Sequence, residues 1–150
     1  LSLFEVGSIV LNIAERNAGL LPADPDARAR AISWMFAALT TMDAPVFDYD
    51  LALFLDRDQP WYEHRIKSLE EMVRKRLGSL AAHLGNSDWL DGAFSAGDLL
   101  MVSVLRRLEG TGLLEEYPNI AAYVARGKSR PAFRRAFDAQ LAVAKAAASD

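Results

Sequence analysis

Ser95 and Asp98, three residues apart, are the first pair in this chain that could do chemistry. A serine nucleophile needs a positioned base, and no histidine lies close to it in sequence. The same spacing is that of a helix capping box. There the serine hydroxyl accepts a backbone N–H while the carboxylate reaches back to the serine N–H. Ser95-Ala96-Gly97-Asp98 leads directly into the apolar run Leu99 to Leu105. The pair is therefore read as a structural cap rather than as a catalytic one. His64 and His83 are the only histidines, far apart and without HxxxH spacing, so no metal site is expected. With no cysteine there is no thiolate ligand, thiol nucleophile or disulfide framework. Arg126, Arg130, Arg134 and Arg135 form a basic cluster, and Arg106-Arg107 a second one. Both are read as solvated helix faces pairing with Glu115, Glu116 and Asp138, which implies little energy.

The elements that must carry these residues follow from periodicity and punctuation. Leu1 to Phe4 alternates and predicts the end of a short strand. Ile9, Val10, Ile13 and Ala14 recur at helical spacing, and Gly19 is placed to stop that helix. Asp24-Pro25 is a helix start, and Ile32, Met35, Phe36 and Leu39 predict its inward stripe. Pro45 is expected to kink or end this helix, with a shorter one running on to Leu55. Asp56 to Trp61 predicts a loop around Pro60. Ile66, Leu69, Val73, Leu77, Leu80 and Leu84 mark one face of a long helix that Gly85-Asn86 ends. Trp89 and Leu90 are expected to anchor the turn that follows. The helix after Asp98 is apolar nearly all round, as suits the middle of a bundle. Tyr117-Pro118-Asn119 opens another helix, with Ile120, Tyr123 and Val124 inward. Pro131 opens the last, with Phe133, Phe137, Leu141 and Ala144 on one face.

The chain has 150 residues, 51% hydrophobic and 25% charged, which is the composition of one ordinary globular domain. Its formal charge of −3, from 17 Lys+Arg against 20 Asp+Glu, lacks the basic excess of a nucleic-acid binder. No apolar run approaches the roughly 20 residues that span a bilayer. No basic segment precedes an apolar one at the start, so no signal peptide is expected. Leu1, in place of Met, suggests a chain that begins inside a longer polypeptide. The expected fold class is all-α, a bundle of five to six helices with a short N-terminal strand-helix remnant. Residues 1–19 form the remnant and residues 20–150 the helical domain.

Three stretches, in this order along the chain, resemble the glutathione transferase family. Leu3-Phe4-Glu5-Val6-Gly7-Ser8-Ile9, with Ile13-Ala14-Glu15 after it, is similar to the end of that family's thioredoxin-like domain. Trp89-Leu90-Asp91-Gly92-Ala93-Phe94-Ser95-Ala96-Gly97-Asp98 resembles its Trp-Leu-x-Gly turn and Phe-Ser-x-x-Asp helix start. Tyr117-Pro118-Asn119-Ile120 with Tyr123, then Arg130-Pro131-Ala132, is similar to its last helices. The resemblance implies the C-terminal helical domain of a cytoplasmic, usually homodimeric enzyme that conjugates glutathione to small electrophiles. Glutathione is then the co-substrate, with no metal. Glu5 matches the family's Glu-Ser pair, which holds the γ-glutamyl end of glutathione. Val6 stands at the Ser position, leaving a backbone N–H but no hydroxyl. Phe36, Thr40 and Asp43 share one side of the helix that lines the family's cleft, which makes them candidates for the electrophile pocket. Phe36 is alternatively a core aromatic. No residue corresponds to the family's catalytic Tyr, Ser or Cys, so no catalytic residue is assigned, and this truncated chain is expected to be inactive alone.

Two other readings stand beside the enzyme. One is a non-catalytic helical protein-interaction module of the same fold. The other is a fragment without a role of its own, with an exposed apolar surface where the remaining domain would pack. The segment from Leu1 to Gly19 is expected to pack on the bundle or to exchange with a neighbouring copy.

Overall fold

The computed structural model describes residues 1–148. Seven α-helices follow one another: α1 (Val6–Arg16), α2 (Pro25–Phe36), α3 (Asp43–Leu55), α4 (Tyr62–Leu84), α5 (Ala96–Leu105), α6 (Pro118–Ser129) and α7 (Pro131–Ala147). A π-helical segment, Ala37–Met42, joins α2 to α3 in one continuous rod, and a 3-10 turn, Arg106–Leu108, extends α5. The fold is the expected all-α bundle.

α5 lies at its centre. Ala96, Leu100, Met101, Val102, Val104 and Leu105 are all buried, which leaves this helix almost no solvent face. Its neighbours present amphipathic faces to it, as burial of apolar stripes requires. α4 buries Ile66, Leu69, Val73, Leu77, Leu80 and Leu84, the same six residues that the sequence period marks. α6 buries Ile120, Tyr123 and Val124. α2 crosses α5 closely at Gly97, where a Cβ would stand 2.5 Å from the Cβ of Trp34 and 3.0 Å from the carbonyl oxygen of Ala31. Only glycine allows the backbones to approach so far.

Asp24 caps α2 as its type and place predict, its Oδ1 accepting the N–H of Ala27 at 2.8 Å. Three expectations are corrected. Leu1 to Phe4 form no strand, because a strand needs a neighbour to complete its hydrogen-bond ladder and the described residues contain none. The inward stripe of the α2 rod is Ala31, Met35, Ala38 and Met42, while Ile32 and Leu39 are only half-buried and Phe36 is exposed. Pro45 neither ends nor breaks the rod. The turn before it widens, with the N–H of Asp43 bonding to the carbonyl of Ala38, five residues back, and α3 continues through the proline.

α7 departs in another way. Phe133 and Phe137 do share a face, stacked at 6.0 Å between ring centroids, but no residue of this helix is buried. The segment from Leu1 to Gly19 does pack on the bundle. Ala14 is buried, Val10 and Leu11 lie against the core, and Glu15 pairs with Arg28 at 2.8 Å.

Candidate functional site

Asp98 is the best-held polar group among the described residues. It is fully buried, and both oxygens are used twice. Oδ1 accepts the N–H of Leu90 at 3.0 Å and the hydroxyl of Tyr123 at 3.0 Å. Oδ2 accepts the N–H of Ser95 at 2.9 Å and its hydroxyl at 3.0 Å. The Ser95 hydroxyl oxygen in turn accepts the N–H of Gly97 at 3.2 Å, so the capping box is complete. With every lone-pair direction spent and no histidine in contact, the pair has no capacity left for catalysis. Its work is positional: it fastens the turn carrying Trp89 and Leu90 to the start of α5 and to α6. Burial, followed by the adjoining Asp98 carboxylate, pushes the Tyr123 phenol well above its ordinary range. The N–H of Ala96 bonds to the carbonyl of Leu20 at 2.8 Å, tying the connector after α1 to the same node.

That connector holds α1 against the α2 rod, and the two enclose a cleft of about 590 Å3. The five residues singled out as binding candidates, Glu5, Val6, Phe36, Thr40 and Asp43, all line it. Gly7 makes the contact possible, since a Cβ there would already stand 3.0 Å from Leu39 Cδ1. Leu11, Ile32, Met35 and Leu39 complete the wall and make it mainly apolar. Phe36 is 61% exposed, which sets aside the core alternative and leaves its ring facing the cleft and solvent. Thr40 donates its hydroxyl to the carbonyl of Phe36 at 2.8 Å, with its lone pairs still available.

Glu5 has an unusual backbone. Its φ of 68° with ψ of 121° makes it the only non-glycine residue at positive φ among the described residues. Such a conformation costs on the order of 1–3 kcal/mol and tends to mark functional sites. Glu5 occupies the position before α1, yet its side chain makes no cap. The first N–H groups of α1 therefore have no side-chain partner and meet the cleft at Val6, Gly7 and Ser8. Donors at a helix start favour a carboxylate, and a neighbouring Glu favours an ammonium, so this corner suits a zwitterionic amino-acid end.

Two contributors escaped sequence reasoning. Arg107 bonds Asp43 at 3.1 Å and Asp50 at 3.1 Å, and its guanidinium lies 5.1 Å from the Phe47 ring. It thereby fixes the Asp43 carboxylate at the cleft edge, and nothing local in sequence signals that partnership. The π turn that carries Thr40 had one signal, Pro45 inside a helical pattern. The arginine clusters also pair differently from expectation. Arg126 bonds Asp88, Glu116 bonds Arg74, and Arg130 stacks on Phe94. His83 sits 2.8 Å from the carbonyl of Leu90 and against Trp34, a structural contact. Among the described residues no three His, Asp or Glu side chains gather as metal ligands, and no helix is long and apolar enough to cross a membrane.

Neither a family model nor a curated protein matches the sequence. Solved structures do match the fold. A glutathione transferase family member from Pseudomonas fluorescens, solved with two glutathione bound, is 24% identical. It superposes with a TM-score of 0.82 over 90% of this chain and 63% of its own. A glutathione transferase from Burkholderia graminis, with two glutathione molecules per subunit, gives 24% identity and a TM-score of 0.84 over 92% and 60%. One from Populus trichocarpa gives 22% identity and 0.82 over 95% and 72%. The fold is thus one shared with glutathione transferases, and the chain spans 60–63% of the length of these two bacterial proteins.

Proposed function

We propose that this chain is the helical part of a glutathione transferase, a cytoplasmic homodimer that conjugates glutathione to small electrophiles. The observation that carries this reading is the convergence of Glu5, Val6, Phe36, Thr40 and Asp43 on one cleft, with the strained Glu5 at its mouth. The Glu5 carboxylate meets the ammonium of the γ-glutamyl group, and the N–H groups at the start of α1 meet its carboxylate. The electrophile lies on the apolar wall of Met35, Phe36 and Leu39, with Thr40 and Asp43 at its polar edge. The donor that stabilises the glutathione thiolate belongs to a thioredoxin-like domain outside this chain. The thiolate sulfur then attacks the electrophilic carbon and displaces its leaving group. The chain alone is inactive.

The test uses the 150-residue chain and S-hexylglutathione, which carries both the γ-glutamyl end and an apolar arm. Calorimetry should show weak 1:1 binding that Glu5→Gln and Phe36→Ala each reduce. Binding indifferent to both substitutions defeats the proposal. Joined to a thioredoxin-like domain, the chain should conjugate glutathione to 1-chloro-2,4-dinitrobenzene and sediment as a dimer.

Val6 favours a second reading. Where the family has a serine hydroxyl, this chain presents a half-exposed isopropyl group. A helical interaction module has no use for that hydroxyl. A stable protein complex together with no S-hexylglutathione binding would select this reading instead.

A further inference from the structure

The cleft between α1 and the α2 rod carries charge of one sign. Its ionisable lining residues are Glu5 and Asp43, and no Lys, Arg or His joins them. Two other concavities of the bundle are bordered by cations instead, one by Arg106 and Arg130 and one by Arg106, Arg107 and Lys128. The Phe36 ring is a second distinction. The rings of Phe47, Trp61, Trp89, Phe94, Phe133 and Phe137 each have a guanidinium within 6.0 Å of the centroid. Phe36, exposed on the cleft wall, has none among the described residues. Asp43 follows at the start of α3. Its Oδ1 accepts one N–H of Arg107 at 3.1 Å, and its Oδ2 has no partner among the described residues. Arg107 gives its other bonds to Asp50, at 3.3 Å and 3.1 Å. One guanidinium therefore serves two carboxylates, and the group keeps a net negative charge.

A bare aromatic face attracts a cation, and a carboxylate beside it adds to that attraction. Apolar walls concentrate the field of a cleft whose charges share one sign. We infer that the electrophile taken by this cleft carries a positive charge on an apolar body, the body on Met35 and Leu39 and the charge between the Phe36 ring and Asp43. An electrophile with a carboxylate or sulfonate at that place meets repulsion and is turned away. The inference rests on the function proposed for the cleft and names the class of its second substrate.

Benzyltrimethylammonium, benzyl alcohol and phenylacetate serve as the cationic, neutral and anionic probes. Each is titrated into the 150-residue chain, and backbone amide NMR shifts give both the affinity and the place of binding. The cation should bind about tenfold more tightly than the alcohol, and phenylacetate more weakly than either. The amides from Phe36 to Asp43 should move. Raising the salt from about 20 mM to about 500 mM should shrink the preference. Two substitutions at one ion pair should act in opposite directions, which a general loss of structure would not do. Asp43→Asn should remove most of the preference for the cation, and Arg107→Gln, which uncovers the Asp43 carboxylate, should increase it. Phe36→Leu should lower cation binding more than alcohol binding. Equal affinity for cation and alcohol, shifts confined to other segments, a preference indifferent to Asp43→Asn, or one diminished by Arg107→Gln would each overturn the inference. S-hexylglutathione, titrated in parallel, separates the two claims. If it binds while cation and alcohol bind alike, this inference falls and the proposed function stands. If it does not bind while the Asp43-dependent preference holds, the proposed function falls, and with it the assignment of the cation as an electrophile.

Discussion

Two helix starts in this molecule are built to opposite ends. At α5, Ser95 and Asp98 satisfy one another and their neighbours, and every polar atom is buried and bonded. At α1, Glu5 is exposed, strained and makes no side-chain cap. The α5 start spends its donors and acceptors on holding three segments together. The α1 start leaves its N–H groups open and keeps a backbone conformation that packing alone does not favour. A helix terminus that stabilises a fold and one that can receive a ligand thus differ in whether their hydrogen-bonding capacity is already used.

The contrast breaks most visibly at Asp98. Asp98→Ala leaves the Leu90 and Ser95 N–H groups and the Tyr123 hydroxyl buried without their acceptor. Equilibrium denaturation should register a loss of roughly 3–5 kcal/mol, since several unsatisfied groups each cost about 1–3 kcal/mol. A loss below ~1 kcal/mol would mean that the node is not what holds the turn. The Tyr123 phenol supplies a pH test. Below about pH 10 it is protonated in both folded and unfolded chains and contributes no slope. Above that pH the unfolded phenol ionises while the buried one stays protonated, so the unfolded state binds fewer protons. Stability should fall by up to about 1.4 kcal/mol per pH unit. Tyr49, also raised by burial and then by nearby Glu70, adds to the same slope. Melting temperatures from pH 8 to 11 should therefore flatten in Tyr123→Phe without becoming level.

Effects at the α1 start should be smaller and of opposite sign. Glu5→Gly releases the positive-φ strain at some entropic cost and should stabilise the chain by about 1 kcal/mol while weakening S-hexylglutathione binding. A destabilised Glu5→Gly would show that the backbone there is unstrained and would remove the contrast. Val6→Ser restores a hydroxyl and should strengthen S-hexylglutathione binding by about 0.5–1.5 kcal/mol, with stability nearly unchanged.

Where the sequence was legible, local pattern and tertiary environment agreed. The six leucine, isoleucine and valine positions of α4 and the Ser95–Asp98 box were read correctly because period and capping are local properties. The five cleft residues were brought to attention by a resemblance, and their convergence depends on Gly7 of α1 meeting Leu39 in the π-helical segment. Failures came where burial is decided by a neighbour. α7 has as good an apolar stripe as α4, yet nothing in the bundle covers it, and period alone cannot say so. Leu1 to Phe4 alternates as a strand does, but a strand is a property of two segments. Helical period put Phe36 on the inward stripe of the α2 rod, yet its ring is exposed beside the cleft. Arg107 lies far along the chain from Asp43, and no sequence pattern joins them.

The widened turn at Ala37–Met42 can also be counted as phase. An α-helix advances about 100° per residue, so a turn that holds one residue more shifts all that follows by that angle. Upstream of the turn the rod buries Met35, and downstream it buries Val46 and Tyr49. Eleven residues at that advance come to about 20° beyond three full turns, so Met35 and Val46 share one buried face by virtue of their separation along the chain. The length of the chain between Phe36 and Pro45 is therefore a setting in itself. Removing any single residue there, whatever its identity, would turn α3 by about a quarter of a circle relative to α2 and would move Asp43 off the cleft.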